Sequence, residues 1–117
     1  MHNSQNIIIE SIGIYLPSNA VSTDEVLQGC TNKIRFPLEK ITGIKTRRIA
    51  AEDEFSFHLA KKAVANCLAN AKYCADDIDL LVCCNISRYD EVNRVSFEPN
   101  TSIRLKRDFN FSNVMFN

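Results

Sequence analysis

Past a polar start, the chain opens on β-branched residues: Ile7-Ile8-Ile9, then Ile12 and Ile14 on either side of Gly13. Branching at Cβ fits an extended, pleated backbone better than a helix, so residues 7–14 are expected to form a strand. Tyr15-Leu16-Pro17-Ser18-Asn19 ends it with turn chemistry. Ser22-Thr23-Asp24-Glu25 has the spacing of a capping box, in which the serine and glutamate side chains each bond the other residue's backbone N–H. This spacing predicts a short helix to about Gln28, with Gly29 as its stop. Pro37 makes Phe36 extended, and a single turn is expected around residues 38–40. Thr42-Gly43-Ile44 reads as a tight turn into a second extended piece at 47–50.

The clearest periodicity follows. Phe57, Ala60, Val64, Cys67 or Leu68, and Ala71 recur at three- and four-residue steps, while Lys61, Lys62 and Asn66 occupy the other face. That is the stripe of an amphipathic helix over 57–71. Its alanines at 60, 63, 65, 69 and 71 leave room for a neighbouring backbone to approach. Asp76-Asp77 break the pattern, and residues 78–84 form a continuous apolar run. Such a run reads as a strand buried on both faces, in a parallel sheet between helices. Residues 87–100 are polar, a second helix is expected over 101–107 with Ile103 and Leu105, and Asn113-Val114-Met115-Phe116 looks like another buried strand. There are no repeats, low-complexity stretches or linkers. The order β, short α, β, long α, β, α, β predicts an α/β layered domain with at least one right-handed crossover.

Composition narrows the function classes. A chain of 117 residues, 45% apolar and 24% charged, fits one globular domain. Lys plus Arg and Asp plus Glu both total 14, so no net charge draws it to nucleic acid or membrane. Lys45, Arg47 and Arg48 form the nearest thing to a basic cluster, readable as a phosphate contact or as a solvated edge. No apolar run approaches the ~20 residues that span a bilayer. Residues 1–6 lack the basic start and apolar stretch of a signal peptide, so a cytoplasmic protein is expected. The five cysteines, Cys30, Cys67, Cys74, Cys83 and Cys84, form no CxxC pair and are expected to behave as small buried apolar groups. Adjacent Cys83 and Cys84 would face opposite ways in a strand, and His2 and His58 are too scattered to complete a metal site. No metal is expected.

Read as phrases, several segments match one family. Ile12-Gly13-Ile14-Tyr15-Leu16-Pro17 and Thr42-Gly43-Ile44-Lys45-Thr46-Arg47-Arg48-Ile49-Ala50 resemble amino-terminal half-motifs of ketoacyl-acyl carrier protein (ACP) synthase III and its relatives. Those relatives include the head-to-head condensing enzymes of olefin synthesis, the alkylquinolone-type synthases and, more distantly, hydroxymethylglutaryl-CoA synthase. Asp76-Asp77-Ile78-Asp79-Leu80-Leu81-Val82 resembles the family's approach to its central strand. Residues 100–106 sit where a helix follows a proline, and residues 114–117 sit on the strand that delivers the nucleophile. The resemblance covers residues 7–117 in order, with one evident insertion.

The resemblance implies a thiolase-like fold, in which two related α/β halves pack in five layers, usually as a dimer. Residues 1–117 would be an incomplete amino-terminal half, a mixed sheet sandwiched between helices. The implied reaction is a decarboxylating Claisen condensation of an acyl thioester with a malonyl thioester, run by a cysteine, a histidine and an asparagine. In the family the cysteine opens a buried helix, whose dipole lowers the thiol pKa and whose N–H groups hold the oxyanion. By that pattern the nucleophile would follow Asn117 and the other two residues would lie in the second half. No residue of this chain is assigned a catalytic role, and the chain alone is expected to be inactive.

The implied contribution of this half is part of the substrate tunnel mouth and of the dimer contact. Coenzyme A or the carrier's phosphopantetheine arm would pass beside the segment before the T-G-I turn. In the bacterial type III synthases a tryptophan and an arginine there hold the adenine; the aligned positions here are Pro37 and Ile41, so both are missing. The departure favours a relative outside the housekeeping acetyl-CoA enzymes. The substrate-binding candidates are Phe36, Thr42, Arg47 and Phe97. Phe36 would stack on a base, or simply pack. Thr42, like Gly43, also reads as structural. Arg47, with Arg48, would meet a phosphate or edge the strand. Phe97 lies in the charged stretch 86–99 that reaches the partner subunit in relatives; it would close an acyl pocket, or tuck into a surface loop.

The expected partners are acyl carrier protein, coenzyme A thioesters and a second subunit of the full-length parent, with no cofactor, nucleic acid or membrane. Two alternatives remain. One is a non-catalytic α/β interaction module or half-subunit that needs a partner chain; the other, within the enzyme class, is a specialised-metabolism or olefin-type synthase. The carboxy-terminal end discriminates between the classes. An independent module would close its sheet, whereas a chain halting on a bare strand should pair or aggregate.

Overall fold

Ser22 ends a strand and starts a helix at once. In the computed structural model, which describes residues 7–85, 88–92, 94–112 and 114–116, β1 (Asn19–Ser22) runs directly into α1 (Thr23–Gln28). The capping box forms as its spacing predicts: Ser22 Oγ accepts from Glu25 N at 3.1 Å, and Glu25 Oε2 accepts from Ser22 N at 2.8 Å. Gly29 caps the other end, its N–H donating to Glu25 O at 3.2 Å. The single turn expected after Pro37 is α2 (Leu38–Thr42), stopped by Gly43 at φ 71°. That left-handed angle is cheap only for glycine among common residues, and it lets the Gly43 N–H reach Glu39 O at 2.7 Å. β2 (Thr46–Ile49) then pairs antiparallel with β1, Ser22 opposite Thr46 and Asn19 opposite Ile49. These elements make up one compact unit, Leu16–Glu54. β1 had no counterpart in the hydrophobic pattern.

The second unit comprises Met1–Tyr15 and Phe55–Asn117. Its long helix, α3 (Ser56–Asn70), matches the predicted amphipathic stripe. A 3-10 turn at Ala75–Asp77 follows where the paired aspartates break the pattern, then β3 (Leu80–Val82). β4 (Tyr89–Glu91) and β5 (Arg94–Val95) form an antiparallel hairpin, α4 (Thr101–Phe109) follows, and β6 (Val114–Phe116) pairs parallel with β3. The parallel pairing agrees with the apolar run at 78–84. Phe57 from α3, Leu105 from α4 and Phe111 just beyond it are buried, and the Arg104 guanidinium lies 3.7 Å from the centre of the Phe57 ring. The architecture is α/β.

Four expectations need correction. Residues 7–14 form no strand among the described residues; their polar contacts go to α3 and the residues just beyond it. Ser11 Oγ donates to Cys67 O at 3.0 Å, Ile14 N donates to Asn66 Oδ1 at 3.1 Å, and Lys72 N donates to Glu10 Oε1 at 2.8 Å. Without a ladder to bury its alternating side chains, Ile7 is 99% exposed, and Ile8 and Ile9 are also open to solvent. The β3 strand is not covered on both faces: Leu80 and Val82 are 52% and 57% exposed, since a two-stranded ladder offers them little cover. The polar stretch 87–100 contains the β4–β5 hairpin, whose strand formers Tyr89 and Val95 are diluted by neighbouring charges.

The cysteines are not uniformly buried either. Cys30, Cys74 and Cys84 are exposed and Cys67 and Cys83 half-buried. Cys30 and Cys74 use their thiols as donors at helix and turn ends, to Val26 O at 3.3 Å and Asp77 Oδ2 at 3.0 Å. Residues 1–6, Ile86, Ser87, Asn113 and Asn117, on which parts of the sequence reading rest, lie outside the described residues. Among the described residues no helix is long and apolar enough to cross a membrane.

Candidate functional site

The unit Leu16–Glu54 holds a cleft of about 550 Å³, and the sequence explains each wall locally. One wall is α1, which presents Thr23 and Leu27. The other begins at Phe36-Pro37, where the proline disfavours a helical conformation for the phenylalanine, and continues through α2 with Lys40 and on to Lys45 beyond the turn. The turn is held from within. Thr42 Oγ1 donates to Leu38 O at 2.8 Å and accepts from Ile44 N at 3.2 Å.

The walls are joined at Thr23, which is fully buried at 0% exposure. Its N–H donates to Lys45 O at 2.9 Å, its hydroxyl donates to Ile44 O, and Arg47 Nη2 donates to that same hydroxyl at 3.0 Å. The neighbouring Arg48 is turned back on β1's approach, with Nη1 donating to Ser18 O at 2.8 Å. A flat aromatic ring, apolar Leu27 and Pro37, and two ammonium groups suit a molecule with an apolar or planar body and an anionic group. Asp24 and Glu39 also reach the cleft and limit how much anionic charge it would welcome.

The sequence candidates separate on this geometry. Phe36 lines the cleft. Thr42 spends its hydroxyl on the backbone of its own turn, and Arg47 directs its guanidinium to Thr23. Phe97 belongs to the other unit, is 69% exposed, and precedes the cis Glu98–Pro99 bond. Thr23, Leu27 and Lys40 were not singled out from the sequence as site residues, and Lys45 only as part of the basic cluster. Thr23 carried a signal, because it follows a capping serine where its hydroxyl is not needed for the cap. Leu27 and Lys40 carried none.

Charge perturbations elsewhere are structural. Glu25 is held below the ordinary glutamate range by the Ser22 hydroxyl and, next, by the Ser22 backbone N–H. Asp77 is lowered in the same way by the Cys74 thiol and N–H. Burial pushes the Cys83 thiol up, and the adjacent Cys84 adds to this. A raised thiol is the reverse of an activated nucleophile. Among the described residues no group of three or more His, Cys, Asp or Glu side chains converges to hold a metal ion.

Known proteins share this arrangement of elements. The chain is 42% identical over 74 residues to the β-ketoacyl-ACP synthase III of Neisseria gonorrhoeae, covering 63% of this chain and 23% of the relative. It is 32% identical over 104 residues to the corresponding synthase of Granulibacter bethesdensis, covering 89% of this chain and 32% of the relative. The solved structure of a priming β-ketosynthase from a polyketide biosynthetic pathway superposes with a TM-score of 0.77 at 26% identity, over 92% of this chain and 30% of that one. Over most of its length the chain is similar to ketoacyl-ACP synthase III-like condensing enzymes. No protein-family profile matches it. The α/β architecture is that of the thiolase-like fold, and this synthase III-like chain spans between about a quarter and a third of the length of the curated relatives it matches.

Proposed function

We propose that the chain is the amino-terminal part of a 3-oxoacyl-ACP synthase III-type acyltransferase, which condenses an acyl thioester with a malonyl thioester with loss of carbon dioxide. The observation that carries this reading is the match to β-ketoacyl-ACP synthase III, in which 104 residues align over 89% of this chain but 32% of the relative. The thiol, imidazole and amide that such chemistry requires would come from the remainder of the parent protein. None of this chain's own cysteines, histidines or asparagines is given those roles, and the 117-residue chain alone is expected to be inactive. In the parent, a cytoplasmic homodimer, it would contribute the cleft around Phe36, Lys40 and Lys45 as the mouth for coenzyme A or the carrier's phosphopantetheine arm, with no further cofactor. Phe36 would stack against the adenine, and the two lysines would meet phosphate oxygens.

The match to a priming β-ketosynthase of a polyketide pathway, with a TM-score of 0.77, favours a second reading within the same class: a synthase of specialised metabolism. The bare Pro37 and Ile41 positions support it, since the adenine grip of the housekeeping enzymes is absent there.

The test is titration of the isotope-labelled chain with coenzyme A, followed by amide chemical shifts. Shifts confined to Phe36, Lys40, Lys45 and their neighbours are expected. Saturating ligand with no shift in the cleft would remove this role for the chain. Condensation of an acyl-CoA with malonyl-ACP by the full-length parent, compared across short and branched primers, separates the two synthase readings.

A further inference from the structure

Two consecutive carbonyls beside the cleft, Ile44 and Lys45, are both bonded to a single residue at the start of α1. Thr23 reaches Lys45 O with its N–H at 2.9 Å and Ile44 O with its hydroxyl, while Arg47 Nη2 donates into the same hydroxyl at 3.0 Å. A hydroxyl has one proton, so donation to Ile44 O leaves its lone pairs for Arg47. The three groups therefore fix one another's direction. Thr23 is fully buried, so water cannot replace a missing partner.

We propose that Thr23 is a positioning residue for the cleft: its hydroxyl, oriented by Arg47, sets the Ile44–Lys45 peptide and so the distance between α1 and the Lys45 ammonium. This rests on the reading of the cleft as the mouth for a coenzyme A-type ligand and adds a residue that itself need not touch it. The serine before it already caps α1, so the cap does not need the Thr23 hydroxyl. Arg47 acts through Thr23 and not on the ligand's phosphate.

The experiment compares Thr23→Val, which keeps the shape and loses the hydroxyl, with Thr23→Ser, which keeps the hydroxyl. Two quantities are read on the full chain: coenzyme A affinity, and the slowed side-chain N–H exchange of Arg47 by NMR. Thr23→Ser is expected to match the wild type in both. Thr23→Val is expected to lose the protected Arg47 signal and to weaken coenzyme A about tenfold, the effect of one lost hydrogen bond at a geometry-sensitive site. Should Thr23→Val fail to fold, Arg47→Met replaces it and is expected to weaken affinity in the same direction. Loss of the Arg47 signal with unchanged affinity overturns the positioning role and leaves the cleft reading intact. A wild-type chain that binds no coenzyme A overturns the cleft reading first, and the proposal with it.

Discussion

Gly13 crosses α3 so closely that a β-carbon on it would collide with the Ala63 carbonyl oxygen and with both the amide nitrogen and the Cβ of Cys67. Two of those three atoms are backbone, so no rotamer change relieves the clash. Gly13 and the Ala63 carbonyl are thus two halves of one contact, between the amino-terminal segment and the helix it lies on. Ser11 Oγ donating to Cys67 O at 3.0 Å ties the same crossing together.

Gly13→Ala should therefore lower the unfolding free energy by about 1–3 kcal/mol, the usual penalty for overpacking a tight contact. Gly29 is the control. A β-carbon there has nothing nearer than 3.6 Å, and its φ of −77° is ordinary for any residue. Gly29→Ala should be neutral or stabilise by about 0.4–1 kcal/mol through the unfolded chain. Urea denaturation of both variants checks the pair, and equal effects at the two glycines would contradict the close crossing.

The capping box makes a second prediction, with a pH signature. Ser22→Ala should cost about 1 kcal/mol, within the range for losing an N-cap hydroxyl. Glu25 is held below its ordinary range by hydrogen bonds from Ser22, so its ionised form favours the folded state. That stabilisation is present above the unfolded glutamate pKa and disappears as the pH falls through the lower folded value. Glu25→Gln should flatten the stability profile in this acid window while leaving the neutral-to-alkaline side unchanged. Denaturant midpoints measured from neutral to about pH 3 read it directly.

How far the sequence foretold this structure depended on whether a signal was local. The Ser22–Glu25 box, the Gly29 stop, the tight turn at Gly43 and the stripe from Phe57 to Ala71 were legible because neighbours in sequence settle them. Residues 7–14 were misread as a strand because β-branching reports willingness to pair, not the presence of a partner. The β1 strand at Asn19–Ser22 was missed for the opposite reason: four mixed residues show no alternation, and they pair because β2 lies alongside. In the cleft Phe36 stood out as an aromatic before a proline. Thr23 did not, because its importance comes from Ile44, Lys45 and Arg47, more than twenty positions downstream. Arg47 was legible as a phosphate contact or a strand edge, whereas its bond to Thr23 was not.

The thiols offer a third test. Cys83 has its pKa raised mainly by burial and secondarily by Cys84, whereas Cys30, Cys74 and Cys84 are exposed. Alkylation near neutral pH, followed by peptide mass analysis, should modify the three exposed cysteines well before Cys83. Cys84→Ser should bring the Cys83 pKa down only partly, because burial remains. Fast, low-pH alkylation of any single cysteine would indicate an activated nucleophile within the chain and oppose its non-catalytic reading.

The last prediction concerns what clamps α4 to α3, where two contacts compete. Lys61 Nζ lies 2.6 Å from Asp108 Oδ2, and the Arg104 guanidinium covers the buried Phe57 ring at 3.7 Å. The ion pair is shorter, but its lysine is half exposed, and pairs of this kind contribute about 0.2–1 kcal/mol after solvent screening and lost side-chain freedom. Arg104 stacks its charge on a ring of the core and also buries part of its stem, so Arg104→Ala removes packing as well as electrostatics. Arg104→Ala should accordingly destabilise more than Lys61→Ala, and its effect should survive added salt while the lysine's fades. The carboxyl of Asp108 gives an independent readout: it sits below its ordinary value chiefly because of the Lys61 hydrogen bond, with smaller help from Arg107 and Arg104. Its contribution is present above the unfolded aspartate pKa and lost as pH falls through the lowered folded value. Lys61→Ala should raise the Asp108 pKa more than Arg104→Ala does, even though it costs less stability. That crossed result separates the group that sets the charge from the group that holds the helices together.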